Sequence, residues 1–377
     1  LNRPTLIDAV NDITYTYDTC TYGIGRLCSA DVANSVNIEY TYDTHGNVST
    51  EKRTIDSTDY TTSYRYTWMN QLDSLTYPDA TSLNYSWNSG GKVETATYTS
   101  ISGIASTIIS NVDYGPSDKV TSISYLNGVT TTYNYDSAFL YAPTSLTSSV
   151  SGSDLITLNY NFDTVLNMTS RTLVSGSMDD IATTFSYDNL DRLTSTDMTI
   201  EGSNVATNLS YTYDANGNMT YASDLGSYTY DTDHPQAIST VGTKNYSYDA
   251  AGNVMAMNAW IYTWNDFQQM TSATAGSNQN SFYYDHTGER IKKYNHATGK
   301  YLLTVNPYYD VNPMHNTKHI AIPGLGNVAE AAFNRNTNIN TFMYHLLDYQ
   351  GSHLMSVNQR GRVTNALDYY PFGTQRT

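Results

Sequence analysis

Cysteine, basic residues and long apolar runs are scarce in this sequence, and each scarcity excludes a class of protein. The 377 residues include 2 cysteines, too few for a disulfide framework or a zinc site of their own. Lysine and arginine total 19 against 35 acidic residues, and the net charge of −16 argues against nucleic acid or an anionic membrane surface as partner. No apolar run approaches the roughly 20 residues that a membrane-spanning helix requires.

The two cysteines and the first residue bear on the origin of the chain. Cys20 and Cys28 lie eight positions apart. They fit either a disulfide across a hairpin or two buried thiols, and the spacing alone leaves both open. The chain begins at Leu1 without a signal peptide, so we expect it to be a piece of a longer polypeptide.

Tyrosine is the abundant residue. It occurs 36 times, against 8 Phe and 4 Trp, and Gly, Ser, Thr, Asn and Asp fill the intervals between the aromatic residues. Tyr and Thr favour a pleated, half-buried strand surface, whereas Gly, Asn and Asp favour turns. Stretches of Ala, Leu, Glu and Lys, which would indicate helices, are nearly absent. The composition therefore predicts an all-β protein with many short strands.

A short motif recurs along most of the chain: an aromatic residue, any residue, a second aromatic residue, and then Asp or Asn. It occurs eleven times, and two degenerate copies at 64–67 and 112–115 occupy the two widest gaps. Internal repetition of this kind indicates a repeat architecture. The eleven copies are Tyr15–Asp18, Tyr40–Asp43, Tyr85–Asn88, Tyr133–Asp136, Tyr160–Asp163, Phe185–Asp188, Tyr211–Asp214, Tyr228–Asp231, Tyr246–Asp249, Tyr262–Asn265 and Phe282–Asp285.

Each copy predicts a β-hairpin. The two aromatic residues lie at i and i+2, so in a strand they share one face. The acid then ends the strand, because its carboxylate accepts hydrogen bonds from backbone N–H groups just downstream, and a glycine supplies the positive φ of a tight reversal. An apolar residue six positions after the second aromatic residue begins the return strand: Val48, Val93, Val120, Met168, Leu193, Met219, Val254 and Met270. The clearest structural positions of the repeat are Tyr40, Tyr42, Asp43, Gly46, Tyr211, Tyr213, Asp214, Gly217, Tyr246, Tyr248, Asp249 and Gly252.

The number of hairpins bounds the architecture. Thirteen hairpins predict about 26 strands, which at about 4.8 Å each would make an antiparallel sheet on the order of 125 Å wide. Open twisted sheets rarely exceed about ten strands without curling. We therefore expect a spiralling sheet that forms a shell or a large barrel-like wall, with tyrosines of neighbouring repeats stacked in ladders. The repeat spacing shortens from 25 or 26 residues to between 16 and 20 after Asp214, which predicts shorter strands or connections there.

These repeats resemble the YD repeats of Rhs proteins, of the C components of insecticidal Tc toxin complexes and of teneurins. The segments 344–352, 360–363 and 368–373 resemble the start of an Rhs repeat-associated core. The resemblance implies that 1–300 is shell wall and that 301–377 is the start of the core, truncated before the family's autoproteolysis region. The positions of this core-like motif are Asp348, Gly351, Ser352, Asp368, Tyr370, Pro371, Phe372 and Gly373.

The same resemblance implies a function. In the family the core closes one end of a hollow shell, and bacterial members often hold a C-terminal toxin that an aspartic autoprotease in the core releases. The catalytic aspartates of the family come after the Tyr-Pro-Phe-Gly element, so they are expected beyond Thr377, and no catalytic residue is predicted in this chain.

We therefore expect a non-enzymatic structural segment of a large secreted or cell-surface protein. Its partners would be its own C-terminal effector or other segments of the same parent chain. The alternative is a module for adhesion, carbohydrate binding or filament assembly, whose partners would be cell-surface glycans or like molecules. Exposed tyrosine rings would suit glycans, although their structural use in the sheet accounts for most of them.

Other residue patterns indicate chemistry only weakly. Asp348 and Asp368 could form an acid pair, but turn capping accounts for aspartates at the repeat position. His315 and His319 have the spacing of a helical metal pair, but their neighbours do not indicate a helix and no third ligand is evident. The loop that begins at Asp214 resembles a calcium loop without the downstream Glu that such loops require. We therefore predict no cofactor and no metal.

Overall fold

The computed structural model describes residues 3–7, 12–201, 206–323 and 325–376, and these residues form β-strands joined by turns. Along the described ranges, no helix is long and apolar enough to cross a membrane. Every strand pairing with a defined register is antiparallel and joins strands that are consecutive in sequence, as between β4 and β5 or between β16 and β17. The prediction of an all-β chain built from tandem antiparallel hairpins is therefore confirmed.

The structure describes 34 strands. In chain order they are β1 Leu6–Ile7, β2 Ile13–Tyr17, β3 Leu27–Val32, β4 Val36–Tyr42, β5 Val48–Ile55, β6 Thr58–Tyr66, β7 Leu72–Thr76, β8 Ser82–Trp87, β9 Val93–Thr99, β10 Ala105–Tyr114, β11 Val120–Tyr125, β12 Val129–Asp136, β13 Ala142–Val150, β14 Ser153–Phe162, β15 Met168–Ser175, β16 Ile181–Tyr187 and β17 Leu193–Ile200. The remaining strands are β18 Ala206–Tyr213, β19 Met219–Ala222, β20 Gly226–Tyr230, β21 Ile238–Val241, β22 Lys244–Tyr248, β23 Val254–Met257, β24 Trp260–Trp264, β25 Met270–Ala275, β26 Asn278–Tyr284, β27 Arg290–Asn295, β28 Lys300–Asn306, β29 Tyr309–Val311, β30 His315–Ile322, β31 Gly326–Asn334, β32 Ile339–Leu347, β33 His353–Asn358 and β34 Val363–Ala366.

The thirteen predicted hairpins correspond to strands β2 to β27, which are 26 in number. Each hairpin pairs an odd-numbered return strand with the aromatic strand before it. The strands β1 and β28–β34 lie outside the repeat and complete the 34 that the structure describes. The late chain therefore continues the β-structure beyond the last copy of the motif.

The return strands begin where the sequence places an apolar residue. Strands β5, β19 and β23 start at Val48, Met219 and Val254, and each of these residues pairs with the second aromatic residue of its hairpin. In these hairpins the register shifts by one residue just before that aromatic, which is a β-bulge. The bulge bends the strand into the turn and places the aspartate at its first position.

The shortening of the repeat comes from its strands. Strands β13 to β17 are 7 to 10 residues long, whereas β19 to β23 have 4 or 5 residues each. The turns that follow Asp188, Asp214 and Asp249 keep one five-residue pattern. In most repeats the turn is therefore constant and strand length varies, whereas the connections after Asp18, Asp136 and Asp231 are longer.

The chain folds as two compact units. The first combines Leu1–Ile108 with Ala259–Phe342, and the second combines Ile109–Asn258 with Met343–Thr377. Each unit thus unites a series of hairpins with a later part of the chain. The predicted division into a wall and a core near residue 300 concerns the roles of the two parts and stays a prediction.

In the first unit the late strands β29–β31 lie against early hairpins. The Tyr77 hydroxyl donates to the backbone carbonyl of His319 at 3.1 Å, and the Tyr85 hydroxyl donates to that of Ala321 at 2.7 Å. Buried apolar side chains from both sources form the core, among them Ile38, Leu75, Leu83, Ala96, Ile320, Val328 and Ala331. The hairpins therefore bury one face against strands that are more than 200 residues away in sequence.

In the second unit β33 and the end of β32 lie against the hairpins, as β29–β31 do in the first unit. The Tyr125 hydroxyl donates to the backbone carbonyl of His345 at 3.4 Å, and the Asn127 side-chain amide donates to that of Asn358 at 3.0 Å. The buried core includes Ile123, Leu146, Leu158, Leu173, Leu346, Met355 and Val357. Alternate residues of the hairpin strands β12 and β14 supply this face, as the period of two requires, whereas four consecutive residues of β33 are buried.

Cys20, in the long loop between β2 and β3, forms a disulfide with Cys28, the second residue of β3. Gly23 lies between them, and a Cβ added there would lie 2.3 Å and 2.6 Å from the two sulfur atoms. Glycine is therefore required for the loop to close around the disulfide. The question that the spacing left open is resolved in favour of the pair.

Candidate functional site

Most turns after an aromatic pair share one geometry, which the Asp43 turn illustrates. Oδ1 of Asp43 accepts the backbone N–H groups of His45 at 2.8 Å and Asn47 at 2.9 Å. The N–H of Asp43 donates to the carbonyl of Asn47, and the N–H of Gly46 donates back to the carbonyl of Asp43. Gly46 has a φ of 90°, a conformation that side chains disfavour. One carboxylate oxygen thus satisfies two donors that the reversal would leave unpaired.

Two other predicted turns repeat these contacts. Oδ1 of Asp214 accepts the N–H groups two and four residues on, both at 2.9 Å, and Asp249 does so at 2.9 Å and 2.8 Å. Gly217 and Gly252 have φ values of 89° and 85°. The side-chain amide of Asn253, and then its backbone N–H, lower the pKa of Asp249 below its ordinary range. The carboxylate form is therefore the one that the turn stabilises.

In most repeats the second aromatic residue donates a hydrogen bond to the repeat before it. The Tyr213 hydroxyl donates to the backbone carbonyl of Leu193 at 2.8 Å, and the Tyr248 hydroxyl donates to that of Ile238 at 2.7 Å. The acceptor in each case is the first residue of the preceding return strand. The other contacts of this type are Tyr42 with Leu27, Trp87 with Leu72, Tyr135 with Val120, Tyr187 with Met168, Tyr230 with Met219, Tyr284 with Met270 and Tyr369 with His353.

These hydroxyl bonds continue the strand pairing where it stops. The pairing of β17 with β18 ends at Ser195 and Ser210, so the Leu193 carbonyl lies beyond the last paired residue. Tyr213 reaches it with its side chain instead. Burial raises the pKa of Tyr213, so its hydroxyl stays a donor. Each bond joins two adjacent hairpins at the edge where their strands separate.

A second contact joins neighbouring turns. The side-chain amide of Asn47 donates to Oδ2 of Asp43 at 3.1 Å and also to Oδ1 of Asn70, in the next turn, at 3.0 Å. The Arg192 guanidinium pairs with Asp188 and donates to the backbone carbonyl of Asp214 at 3.2 Å. The residue four positions after the acid therefore serves both its own turn and the following one.

Ring contacts connect the hairpins to the late chain. In the second unit the Tyr160 and Tyr349 rings meet edge to face with centroids 4.9 Å apart, and so do the rings of Tyr211 and Phe372. The expected ladder of stacked tyrosines does not describe these contacts, because their partners come from turns far along the chain. Neighbouring repeats are joined by the hydroxyl instead. Of the first aromatic residues, Tyr246 lies half-buried in β22 and Tyr40 lies half-buried in β4.

The core-like motif forms two more turns of the repeat type. Oδ1 of Asp348 accepts the backbone N–H groups of Gln350 at 2.8 Å and Ser352 at 2.7 Å, and Gly351 has a φ of 86°. Near the end of the chain the N–H of Tyr370 donates to the carbonyl of Thr374 at 2.8 Å. In that turn Gly373 has a φ of 83°. Pro371 and Phe372 form its tip, and the Phe372 side chain is 60% exposed.

Asp368 is placed differently from the turn aspartates. Its side chain is fully buried, with one oxygen paired to the Arg171 guanidinium and the other 2.8 Å from Nε of Arg376. Arg171 belongs to β15 and Arg376 to the last described residues. Two guanidinium groups on one carboxylate offset the cost of burying the charge. Asp368 therefore fastens the end of the chain to β15, while Asp348 caps a turn, so each carboxylate has a structural role.

A cavity of about 640 Å³ lies beside this ion pair in the second unit. Its lining includes half-buried aromatic rings, among them Phe185, Tyr187 and Tyr349, together with Arg171 and Asp348. Its size falls within the range of ordinary ligand sites. The core-like residues Ser352, Tyr370, Pro371 and Gly373 also line it.

The remaining sequence candidates are accounted for by other contacts. His315 and His319 lie in strand β30 and not in a helix. The His315 ring contacts Asn334 at 3.1 Å, and the His319 ring contacts Asp310 at 2.9 Å. The calcium-like loop at Asp214 is a repeat turn whose carboxylate accepts backbone donors. In the part of the chain that the structure describes, no group of three or more His, Cys, Asp or Glu side chains is arranged to hold a metal.

Sequence reasoning missed the hydroxyl bonds, although it had a signal for them. Ten of the eleven motif copies carry Tyr or Trp at the second aromatic position, and both residues donate a hydrogen bond. Phe162 is the exception. Packing alone would be served by Phe, so this preference indicates a donor. The partner of Asp368 had no comparable signal, because Arg171 lies 197 positions away.

The fold and these contacts define a class of protein, an antiparallel array of YD hairpins whose recurring turn and tyrosine contacts hold the sheet together. The family described as Teneurin YD-shell matches residues 140–376, well over half of the chain. The chain therefore belongs to the YD-shell family, whose fold is a structural shell. No curated protein sequence matches the chain.

Solved structures share this fold. The crystal structure of TcdB2-TccC3-Cdc42 matches at 16% identity with a TM-score of 0.81, covering 96% of this chain and 22% of that chain. That of TcdB2-TccC3 matches at 14% identity with a TM-score of 0.79, covering 97% and 22%. The Tc holotoxin pore of Photorhabdus luminescens matches at 14% identity with a TM-score of 0.77, covering 97% and 21%. The likeness is one of fold, and this chain spans about a fifth of those chains.

Proposed function

We propose that this chain is a non-enzymatic segment of the shell wall of a larger secreted or cell-surface protein, and that the assembled wall encloses or presents a C-terminal effector. The observation that carries the proposal is the YD-shell match across the second half of a chain whose first half has the same hairpin geometry. Hydroxyl bonds and turn contacts join successive hairpins within each unit, as a continuous wall requires.

Two further features support this role. A disulfide between Cys20 and Cys28 is typical of an oxidising compartment, which agrees with a secreted or surface protein. The turn carboxylates are engaged by backbone donors and Asp368 by two guanidinium groups, so the chemistry of these acids serves the structure. The wall and core roles of 1–300 and 301–377 belong to the same proposal, as does the autoprotease expected beyond Thr377.

Electron microscopy of the intact parent protein tests the enclosure. The expected result is a wound β-wall around internal density, and a matched parent shortened to end at Thr377 should keep the wall and lose that density. A solid, open or filamentous assembly would contradict enclosure. Internal density that persists unchanged in the shortened parent would also refute an effector supplied by the later chain.

The aromatic cavity supports a second candidate function, the binding of a glycan. Half-buried rings such as Tyr187 and Tyr349 offer flat apolar faces, and polar groups at the lining would accept or donate hydrogen bonds to hydroxyls. Arg171 is already paired with Asp368, so a neutral ligand is favoured over an anion.

A glycan array with the full chain tests this candidate. The Tyr349→Leu variant should lose any binding, whereas Tyr221→Leu should keep it, because Tyr221 is 38% exposed and does not line the cavity. An array without signal for the wild-type chain, or equal signal for both variants, would exclude the cavity as a glycan site.

A further inference from the structure

One cluster of imidazole groups is used neither by the turns nor by the hydroxyl bonds. Nδ1 of His345 lies 3.2 Å from Nε2 of His353. The hydroxyl oxygen of Ser356 lies 3.0 Å from Nε2 of His353 and 3.4 Å from Nδ1 of His345. Two imidazole nitrogens and one hydroxyl oxygen, each able to act as a metal ligand, therefore form a nearly equilateral triangle on strands β32 and β33.

The size of this triangle matches a face of a metal coordination sphere. Zinc binds imidazole nitrogen at about 2.0–2.1 Å with tetrahedral angles, so two ligand atoms of one ion lie about 3.3 Å apart. The three measured separations, 3.2 Å, 3.0 Å and 3.4 Å, bracket that value. An ion above the triangle would contact all three atoms and leave its fourth position for water.

The fold holds these side chains in place without a ligand. His345 and Ser356 face each other as a cross-strand pair of β32 and β33. The register then shifts between Leu346 and Leu347, which is a β-bulge that brings His353 to the same group. Ser356 is 93% buried, since its exposed fraction is 7%, and the His345 backbone carbonyl accepts the Tyr125 hydroxyl.

His315 and His319, the other two histidines close together in sequence, differ from this cluster because their rings contact separate partners. His315 and His319 lie on one strand, and each ring contacts side chains of its own, Asn334 for the first and Asp310 and Asn327 for the second. They therefore serve as matched controls, because they are half-buried histidines on a strand of the same sheet type.

We propose that His345, His353 and Ser356 form a binding site for a divalent transition-metal cation such as Zn²⁺, with the two imidazole nitrogens as the principal ligands. Imidazole suits Zn²⁺ and its neighbours in the first transition row, and the hydroxyl oxygen completes the face. Binding needs the outer nitrogen of each ring to carry the proton, so that both inner nitrogens present a lone pair. The site lies within one hairpin and is independent of any enclosed effector.

Calorimetric titration of the full, untagged chain with Zn²⁺ tests the site. The wild type should bind Zn²⁺ at a site that His345→Ala or His353→Ala weakens by at least about tenfold. The His315→Ala and His319→Ala variants should bind as the wild type does. Equal Zn²⁺ binding by all five proteins, or none by the wild type, would reduce the triangle to a hydrogen-bonded cluster and overturn the proposal.

A gain-of-ligand variant protects the test against misfolding of the alanine variants. Ser356→Cys replaces the weakest donor by a thiolate, which is a stronger ligand for such ions. With Co²⁺ as the probe, this variant should show the intense thiolate-to-metal absorption of a tetrahedral site and tighter binding than the wild type. A folded Ser356→Cys protein without that absorption would equally overturn the proposal.

Discussion

Removal of one tyrosine hydroxyl tests whether the bonds between adjacent hairpins stabilise the wall. The Tyr213→Phe variant keeps the ring and deletes the donor to the Leu193 carbonyl, which lies beyond the end of the β17–β18 pairing. A hydrogen bond of this kind contributes about 0.5–1.5 kcal/mol net, and a buried acceptor left without a partner costs about 1–3 kcal/mol. Both residues are half-buried, so we expect the free energy of unfolding to fall by about 1 kcal/mol.

Urea denaturation of the wild type and variants, followed by tyrosine fluorescence and circular dichroism, measures this change. Tyr221→Phe is the matched control, because Tyr221 is 38% exposed and lies on the return strand. Hydrogen exchange at the amides of β17 and β18 locates the effect within the chain. A change for Tyr213→Phe no larger than that for Tyr221→Phe would refute the reasoning.

The reverse substitution is available in the same chain. Phe162 occupies the position of the donor, and Pro143 occupies the position of the acceptor, because it pairs with the second aromatic residue Tyr135 as Leu193 pairs with Tyr187. Phe162→Tyr should therefore gain a bond to the Pro143 carbonyl and raise the free energy of unfolding by about 0.5–1 kcal/mol. A loss of stability in this variant would show that the ring has no room for the hydroxyl.

Three other variants probe the ion pair, the turn glycine and the turn carboxylate, all read out by urea denaturation. Asp368→Asn leaves two guanidinium groups without their buried counter-charge and should cost about 3–5 kcal/mol; a cost below 1 kcal/mol would contradict the anchoring role. Gly217→Ala should cost about 1–2 kcal/mol from its φ of 89° alone, since a Cβ there meets nothing within 4 Å, whereas the equally open Gly176→Ala, without positive φ, should change little. The Arg192 side chain lowers the pKa of Asp188. The carboxylate's contribution to stability is therefore complete above the unfolded-state pKa of about 3.9 and is lost as pH falls through the lower folded-state pKa. Asp188→Asn should weaken the decline in stability between about pH 5 and pH 2, and an unchanged decline would exclude this contribution.

The hairpins could be predicted because their signals are local. The two aromatic residues, the acid and the glycine lie within seven positions, and each has a backbone requirement that no distant residue alters. Tyr42, Asp43 and Gly46 illustrate this, since strand, cap and reversal follow in that order. The apolar residue six positions on, such as Val48, marks the start of the return strand for the same reason.

The contacts between distant segments could not be predicted. The acceptor of a tyrosine hydroxyl is a backbone carbonyl, which carries no residue identity, so Leu193 gives no sign of its role. Asp368 looks like any other acid in sequence, and its partner Arg171 is distinguished only by the folded structure. The grouping of His345 with His353 depends on a bulge that shifts the register by one residue. The repeat pattern does not predict the position of such a bulge.

The backbone acceptors also bear on how such an array could change in length. Because the Tyr248 hydroxyl binds a main-chain carbonyl, any residue type at the acceptor position would serve, and one hairpin is interchangeable with another on that side. Loss or duplication of a whole hairpin would leave every such joint intact. The late part of the chain restricts the number of hairpins, because the Tyr349 ring contacts Tyr160 and the Phe372 ring contacts Tyr211. A change in that number would displace each ring from its partner. The bonds between neighbouring hairpins therefore do not restrict the number of hairpins, whereas the ring contacts with the late part of the chain do.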